Sequence, residues 1–226
     1  MISTFQRIEK KYLINQKTYD TLLQKLKEQI TPDSYFKSTI CNVYFDTNHN
    51  DLIVRSLDKP VYKEKLRLRS YGIPNMDSIV FLEIKKKYKS IVNKRRIQLK
   101  LKDFYKYKNN NPKTQIEKEI DYFFKIYDVK PALYLAYDRL AYIGVNDSSL
   151  RITFDNNIRS RRFDLNLEKG DFGNKLLSDD TYLMEIKINN TYPLWLVRIL
   201  SDLKIYPTSF SKYGKIYEKE RNEVNV

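Results

Sequence analysis

The feature that most constrains the fold is an alternation of charged and apolar residues that recurs along this 226-residue chain. In the stretch YKEKLRLRSYG, Lys65, Arg67 and Arg69 alternate with Leu66 and Leu68. Successive side chains of a β-strand point to opposite faces, so the three cations share one face and the leucines share the other. The pattern therefore predicts a strand with one apolar and one cationic side.

The same two-residue period occurs in several further segments. Apolar residues such as Ile84, Ile152 and Ile186 fall on one side of these segments. The other side carries Arg7, Glu9 and Lys11; Glu83, Lys85 and Lys87; Lys94 and Arg96; Tyr137 and Arg139; Arg151, Thr153 and Asp155; and Glu185 and Lys187. A half-buried antiparallel sheet produces this alternation.

The periodicities predict an α+β fold with a dominant antiparallel sheet, in a single domain over residues 1–226. The expected strands are 6–14, 35–46, 61–71, 78–88, 90–100, 132–144, 149–158 and 182–188. The expected helices are 16–30 after an Asn15 cap, 114–127 with a Thr114–Glu117 capping box, one starting at Pro193, and a short one at 211–221.

The charge balance indicates a polyanionic partner. The chain has 42 Lys and Arg against 28 Asp and Glu, a net charge of +14. Nucleic acid, an anionic membrane and phosphate chains are the candidate partners. Solvent exposure of the charged faces is the plain alternative. However, like charges that oppose one another across a sheet are destabilising, so such a face favours a bound anion. Closed into a barrel with this face inward, the sheet would form a cationic tunnel.

Several classes of protein are disfavoured by what the sequence lacks. One cysteine, Cys41, and one histidine, His49, make neither a zinc cluster nor a Cys–His catalytic pair. We expect Cys41 to be a buried, inert thiol and His49 a surface residue. The 5 glycines provide no phosphate-binding glycine loop. No apolar run is long enough to span a bilayer, and the first residues do not form a signal peptide. The expected location is the cytoplasm.

An ordered set of segments resembles a known family. RIEKKYLI, VYFDT, YKEKLRLRSYG, FLEIKKK, VNKRR, PALYLAYDRLAYIG, LRITFD, LMEIKI and YPTSFSKYG, over residues 5–217, are similar to the VTC (vacuolar transporter chaperone) polyphosphate polymerase domain. That domain belongs to the triphosphate tunnel metalloenzymes, relatives of the CYTH phosphatases. The resemblance implies an eight-stranded antiparallel tunnel barrel with flanking helices, of a stand-alone bacterial type. It also implies synthesis of inorganic polyphosphate from ATP with Mn²⁺ or Mg²⁺.

The resemblance assigns roles to residues position by position. The phosphate-handling groups it implies are Arg67, Arg69, Lys85, Arg139, Arg151 and Lys212, with substrate-binding Lys11, Lys94, Tyr137, Lys187 and Ser211, and with Glu185 as the metal ligand. Two departures stand out. Arg7-Ile-Glu9-Lys-Lys11 replaces the Glu-x-Glu-x-Lys of the CYTH branch, which favours the polymerase. Ser209 stands where a further lysine is expected, at the site for the terminal phosphate.

Two other functions remain open on the sequence. One is a metal-dependent tripolyphosphatase or nucleoside triphosphatase, which would use the same tunnel with water as the nucleophile. The other is a non-enzymatic module that binds polyanions. Glu83 and Glu185 lie on the cationic faces, where they would repel nucleic acid but could hold a metal. We therefore expect ATP and polyphosphate as partners, with no specific nucleic acid and no membrane span.

Overall fold

The computed structural model describes residues 7–89, 91–107 and 112–224. The described strands are β1 Arg7–Asn15, β2 Ile30–Asp46, β3 Tyr62–Tyr71, β4 Ile79–Tyr88, β5 Ile91–Lys100, β6 Lys130–Gly144, β7 Arg151–Arg161, β8 Asn174–Lys175 and β9 Thr181–Asn189. The described helices are α1 Gln16–Leu26, α2 Asp51–Leu57, α3 Leu101–Tyr105, α4 Gln115–Ile126, α5 Leu194–Asp202 and α6 Lys212–Val224. The fold is mixed α+β, as predicted.

The strands form one antiparallel sheet. Its order is β1-β9-β7-β6-β2-β3-β4-β5, and the two-residue strand β8 pairs with β7. The sheet therefore has nine strands where eight were expected. In the part of the chain that the structure describes, β1 and β5 end this order, and the hydrogen-bond ladders do not close into the expected barrel.

The chain divides into two compact units, each assembled from three chain segments. The first unit comprises the described residues within 1–38, 137–158 and 177–211. The second unit comprises those within 39–136, 159–176 and 212–226. The candidate site residues fall in both units.

Each unit buries the apolar faces that the alternation predicts. In the first unit, α1 packs its helical stripe of Tyr19, Leu22 and Leu26 in a core with Ile152 and Ile186. In the second unit, a separate core contains Leu66, Leu68, Leu82 and Ile84 with Phe123 of α4. Burial of one face fixes the register of each strand, because a slip by one residue would turn the charged side inward. The opposite, charged faces are thereby fixed as well.

The Asn15 and Thr114 caps are confirmed, but the predicted end of α1 and start of β2 were wrong, and Pro193 is the N-cap of α5 rather than part of its first turn. Asn15 accepts a hydrogen bond from the Thr18 amide at 2.9 Å, and Thr114 and Glu117 form the expected capping box. However, α1 ends at Leu26 rather than at residue 30, and β2 begins at Ile30. Three further elements, α2, α3 and β8, were not predicted. All are short, so periodicity gives them little signal.

No helix among the described residues combines the length and apolarity needed to cross a membrane. Cys41 is fully buried, and burial raises the pKa of its thiol, as expected of an inert core cysteine. His49 is exposed in the turn before α2.

Candidate functional site

A cluster of cations surrounds one buried carboxylate in the second unit. We call it the Glu83 cluster; it comprises Tyr44, Arg67, Arg69, Glu83, Lys94 and Arg96. Strand pairing places Arg67 opposite Glu83 on one side and Tyr44 on the other, while Arg96 lies opposite Glu83 on β5. The cluster is therefore a direct product of the register of β2, β3, β4 and β5.

Four cations share the Glu83 carboxylate. Arg67 Nη2 lies 2.7 Å and Arg69 Nε 3.8 Å from Oε2. Lys94 Nζ lies 3.1 Å and Arg96 Nη1 3.9 Å from Oε1. Burial alone would raise the pKa of Glu83, but the charges of Arg67, Arg69 and Lys94 outweigh it and hold the pKa at about 2. Four cations thus lie around one carboxylate, an arrangement that suits an anion.

The two arginines are held by neutral groups of β2. Arg67 Nη1 donates to the Tyr44 hydroxyl at 3.0 Å, and Arg69 Nε donates to Asn42 Oδ1 at 3.0 Å. Burial would raise the pKa of Tyr44, but the charge and hydrogen bond of Arg67 lower it to about 8. Both guanidinium groups are thus oriented before any ligand binds.

Lys85 and Lys94 lie opposite one another on β4 and β5, and Lys65 completes the row on β3. Lys85 is exposed. Lys94 keeps 43% of its side chain exposed, but burial of its ammonium and the charge of Arg67 lower its pKa to about 8. An ammonium held this close to other cations favours an incoming anion.

A second carboxylate lies among cations in the first unit. We call this group the Glu185 cluster; it comprises Glu9, Lys11, Glu185 and Lys187. Lys11 of β1 is in register with Glu185, and Glu9 is in register with Lys187. Lys187 forms an ion pair with Glu185, and Lys11 Nζ lies 4.0 Å from the same carboxylate. Lys187 lies 3.7 Å from Glu9 as well.

The Glu185 carboxylate remains anionic across the physiological pH range. Burial would raise its pKa, but the charges of Lys187 and Lys11 lower the value to about 2. Within the described ranges, no group of three or more His, Cys, Asp or Glu is placed to hold a metal. One buried anionic oxygen donor does fit a Mn²⁺ or Mg²⁺ ion that takes its other ligands from phosphate and water.

Arg139 and Tyr137 lie on β6 in the same unit as the Glu185 cluster. The Arg139 guanidinium forms a two-point hydrogen bond with Asp155 of β7 and lies 5.2 Å from the centre of the Tyr137 ring. The charge of Arg139 also contributes to the lowered pKa of Glu185. Asp155 is the residue that orients Arg139.

Arg151 is placed differently from the other predicted arginines. It lies opposite Lys187 in the strand register, but its Nη2 pairs with Asp33 Oδ2 at 2.8 Å. Its side chain is 41% exposed. Arg151 therefore forms a more solvated ion pair than Arg139 does.

Ser211 directly precedes α6, and Lys212 is the first residue of that helix. Just before Ser211, the carbonyl of Phe210 accepts a hydrogen bond from Lys11 Nζ at 2.9 Å, within the first unit. Lys212 begins α6 in the second unit, and Tyr213 follows it. The Tyr213 hydroxyl donates to Asp46 Oδ2 at 2.9 Å, and its ring lies 5.2 Å from that of Tyr44. Lys212 thus stands next to a residue that contacts the Glu83 cluster.

Sequence reasoning assigned no role to several residues that build these clusters. Asp155 was placed on the correct face, but its pairing with Arg139 depends on neighbouring strands. Asn42 and Tyr44 alternate on β2 as the cations do on β3, and this spacing was the available signal. The sequence contains no such signal for the contact between Asp46 and Tyr213, because the two residues lie far apart in the chain.

Two solved structures are among those that match this chain. The PH1819 protein from Pyrococcus horikoshii OT3 is 15% identical, with a TM-score of 0.49, covering 95% of this chain and 99% of that protein. A Vibrio parahaemolyticus protein provisionally named an adenylate cyclase is 13% identical, with a TM-score of 0.49, covering 94% of this chain and 98% of that one.

Comparison with curated proteins gives no match. The family model described as the VTC domain, in contrast, matches residues 6–220, nearly the whole length of the sequence. The match contains both clusters and all the predicted site residues. The chain therefore belongs to the VTC domain family.

Proposed function

We propose that this protein is an ATP-dependent polyphosphate polymerase, which transfers the γ-phosphate of ATP to a growing polyphosphate chain. Membership of the VTC domain family supports a phosphoryl-related function on this fold. The observation that carries the proposal is the Glu83 cluster, in which four cations share one buried carboxylate. The surplus charge and the fixed guanidinium groups suit phosphate oxygens.

In the proposed reaction, an oxygen of the chain-end phosphate attacks the γ-phosphorus of ATP, and the bond to the β-phosphate oxygen breaks to release ADP. The attacking phosphate is already anionic near neutral pH, so a general base is not needed. Phosphoryl transfer depends chiefly on positioning and on neutralisation of charge. Arg67 and Arg69 would bind the triphosphate, and each such preorganised donor is typically worth about 3 kcal/mol in the transition state.

The remaining predicted residues complete the proposal. In the second unit, Lys85 and Lys94 would neutralise phosphate oxygens. In the first unit, Arg139 and Arg151 would do the same, and Lys11, Tyr137 and Lys187 would bind substrate. Ser211 and Lys212 would hold the chain-end phosphate. Glu185 would hold Mn²⁺ or Mg²⁺, and the ion when bound would offset charge on the phosphoryl group. A cytoplasmic location, where ATP is supplied, is also part of the proposal.

The test is to incubate the purified protein with ATP and Mn²⁺, resolve the products on a polyacrylamide gel stained for polyphosphate, and assay free phosphate in parallel. Polymer formed with stoichiometric ADP, and lost in Arg67→Ala and Glu185→Ala, is the expected result. Free phosphate without polymer would instead identify a triphosphatase. If neither product forms with Mn²⁺ or with Mg²⁺, the protein would be one that only binds polyanions.

Two adjacent lysines of β4 provide a matched control. Lys85 lies on the face of the Glu83 cluster, whereas Lys86 lies on the opposite face, where its Nζ is 3.1 Å from Glu119. Lys85→Ala should slow chain elongation, and Lys86→Ala should leave the rate unchanged. Equal effects of the two variants would indicate that net charge alone, rather than the cationic face, affects the reaction.

A further inference from the structure

One end of the β3–β4–β5 sheet carries a contiguous group of apolar side chains. We call it the sheet tip; it comprises Lys59, Val61, Tyr62, Tyr88, Lys89, Ile91 and Val92, all of the second unit. Tyr62 lies opposite Tyr88, and Tyr88 lies opposite Ile91, so these three side chains share one face across three strands. The amide of Lys89 donates to the carbonyl of Val61 at 2.7 Å, which joins the end of β4 to the residue before β3.

The apolar side chains of the sheet tip are open to solvent in the part of the chain that the structure describes. Ile91 is 72% exposed and Val61 is 60% exposed, and Tyr88 is half-exposed. Farther along β3, on the face of Tyr62, Leu66 is fully buried, so the core of the unit ends before the sheet tip. Single exposed apolar residues are common on proteins, whereas a contiguous group indicates a surface that meets a partner.

The sheet tip is also positively charged. The two segments that form it, 59–63 and 87–92, contain four lysines and no Asp or Glu. Lys59 and Lys89 are exposed, and Lys89 Nζ lies 5.6 Å from the centre of the Tyr88 ring. Cations and apolar side chains therefore occupy the same small surface, a combination that suits a partner with negative charge above an apolar layer.

The carboxylate next to the sheet tip does not oppose such a partner. Glu64, two residues beyond Tyr62, lies 3.6 Å from Lys86 Nζ and accepts a hydrogen bond from the Tyr62 hydroxyl. Its charge is therefore paired within the protein. The hydroxyl of Tyr62 is held toward the body of the unit by the same contact.

We propose that the sheet tip docks on the surface of an anionic lipid bilayer, with its apolar side chains in the interface and its lysines at the headgroups. Tyrosines are enriched where a membrane meets water, and lysines bind anionic headgroups while their stems contact apolar surface. Such docking is peripheral, so it requires no spanning helix. This inference goes beyond the proposed function and does not depend on it.

The composition of the sheet tip favours a bilayer over two other partners. A second copy of the chain would bring its own lysines against these lysines, and like charges repel. Single-stranded nucleic acid is bound by aromatic side chains that stack on bases. The aliphatic side chains of Val61, Ile91 and Val92 cannot stack in this way, but they can enter a bilayer interface.

The experiment measures cosedimentation of the purified protein with vesicles, without ATP, metal or polyphosphate. One set of vesicles is phosphatidylcholine alone, and the other is equal parts of phosphatidylcholine and phosphatidylglycerol. We expect binding to the anionic vesicles and much weaker binding to the neutral ones. The variant Val61→Ser/Ile91→Ser retains every charge and should bind the anionic vesicles roughly tenfold more weakly.

The matched control is Ile73→Ser/Met76→Ser, which removes two exposed apolar side chains beyond the other end of β3. It should bind anionic vesicles like the wild type. Val61→Leu/Ile91→Leu keeps the apolar surface and should also bind like the wild type. Lys59→Gln/Lys89→Gln should weaken the binding and make its dependence on salt shallower.

Equal binding by the wild type and Val61→Ser/Ile91→Ser would overturn the proposal, because net charge alone would then account for the binding. An equal loss in the Ile73→Ser/Met76→Ser control would overturn it, as would a wild type that does not bind anionic vesicles. A wild-type dimer that the serine substitutions at Val61 and Ile91 convert to a monomer would identify a second copy as the partner instead. Because no turnover is measured, vesicle binding without polymer synthesis would reject only the polymerase, and synthesis without vesicle binding would reject only the docking.

Discussion

The guanidinium of Arg139 donates two parallel hydrogen bonds to the carboxylate of Asp155, from Nε to Oδ1 at 2.6 Å and from Nη2 to Oδ2 at 2.8 Å. Asp155 is fully buried, so the pair is shielded from water. A two-point contact fixes both the position and the plane of the guanidinium. Arg139 is therefore oriented by the protein itself, and a phosphate would meet a preformed donor.

Replacement of Asp155 should destabilise the fold strongly. Asp155→Asn leaves the charge of Arg139 buried without its carboxylate, which typically costs about 3–5 kcal/mol. Asp33→Asn is the control, because its partner Arg151 is 41% exposed and such pairs contribute about 1 kcal/mol or less. Urea unfolding at neutral pH measures both. Equal losses of unfolding free energy in the two variants would mean that burial of the Arg139–Asp155 pair adds no stability.

Because of Glu83, the unfolding free energy should vary with pH in the acid range. Its pKa falls from the ordinary 4.5 to about 2 on folding. A lowered folded-state pKa adds stability above the unfolded value, and this contribution is lost as the pH falls through the folded value. The shift corresponds to about 3 kcal/mol. The unfolding free energies of wild type and Glu83→Gln should differ at pH 7 and converge between about pH 4.5 and pH 2. A constant difference across this range would contradict the prediction.

Tyr44 should ionise at a pH well below that at which an ordinary tyrosine ionises. Its hydroxyl accepts a hydrogen bond from Arg67, and its pKa is lowered to about 8. An ultraviolet titration of the phenolate should therefore show one tyrosine ionising near pH 8, among the 19 of the chain. This step should be absent in Tyr44→Phe and should move to higher pH in Arg67→Gln. A step that survives in Tyr44→Phe belongs to another residue.

The contact between Tyr213 and Asp46 should position Lys212. Asp46 also accepts hydrogen bonds from the amides of Leu52 and Ile53, so it fixes the start of α6 against α2. Tyr213→Phe removes one bond to a buried carboxylate and should cost about 1–2 kcal/mol of stability. In elongation assays, the KM for polyphosphate should rise roughly fivefold with kcat retained.

Tyr217→Phe, one turn further along α6, is the control for Tyr213→Phe. It should change neither the unfolding free energy nor the KM. If the Tyr213 variant lowers stability but leaves the KM at the wild-type value, its role is structural, and Lys212 does not depend on it.

The local pattern of the sequence predicted the faces of the strands well. Leu66 and Leu68 are buried where the alternation requires, and Arg67 and Arg69 lie together on the other side. The N-caps of α1 and α4 were also predictable, because a capping side chain lies within three residues of the amide it binds. These features depend only on residues close together in the chain.

The partners of the cations could not be predicted in the same way. The choice of Glu83 by Arg67, or of Asp155 by Arg139, depends on the register between strands. Tyr213 and Asp46 are separated by most of the chain. Helix α2 is short, and its first turn is fixed by Asp46 rather than by a periodic stripe. Only the packed structure specifies such contacts.

Strand β5 has a further consequence for the behaviour of the protein in solution. It ends the strand order in the described part of the chain, and an end strand is a template for pairing with another molecule. Lys94, Arg95, Arg96 and Lys100 give this strand a positive charge that repels the same strand of a second copy. A polyanion bound at Lys94 and Arg96 would neutralise that repulsion. If a polyanion binds there, the colloidal stability of the protein should decline as the polyanion concentration rises.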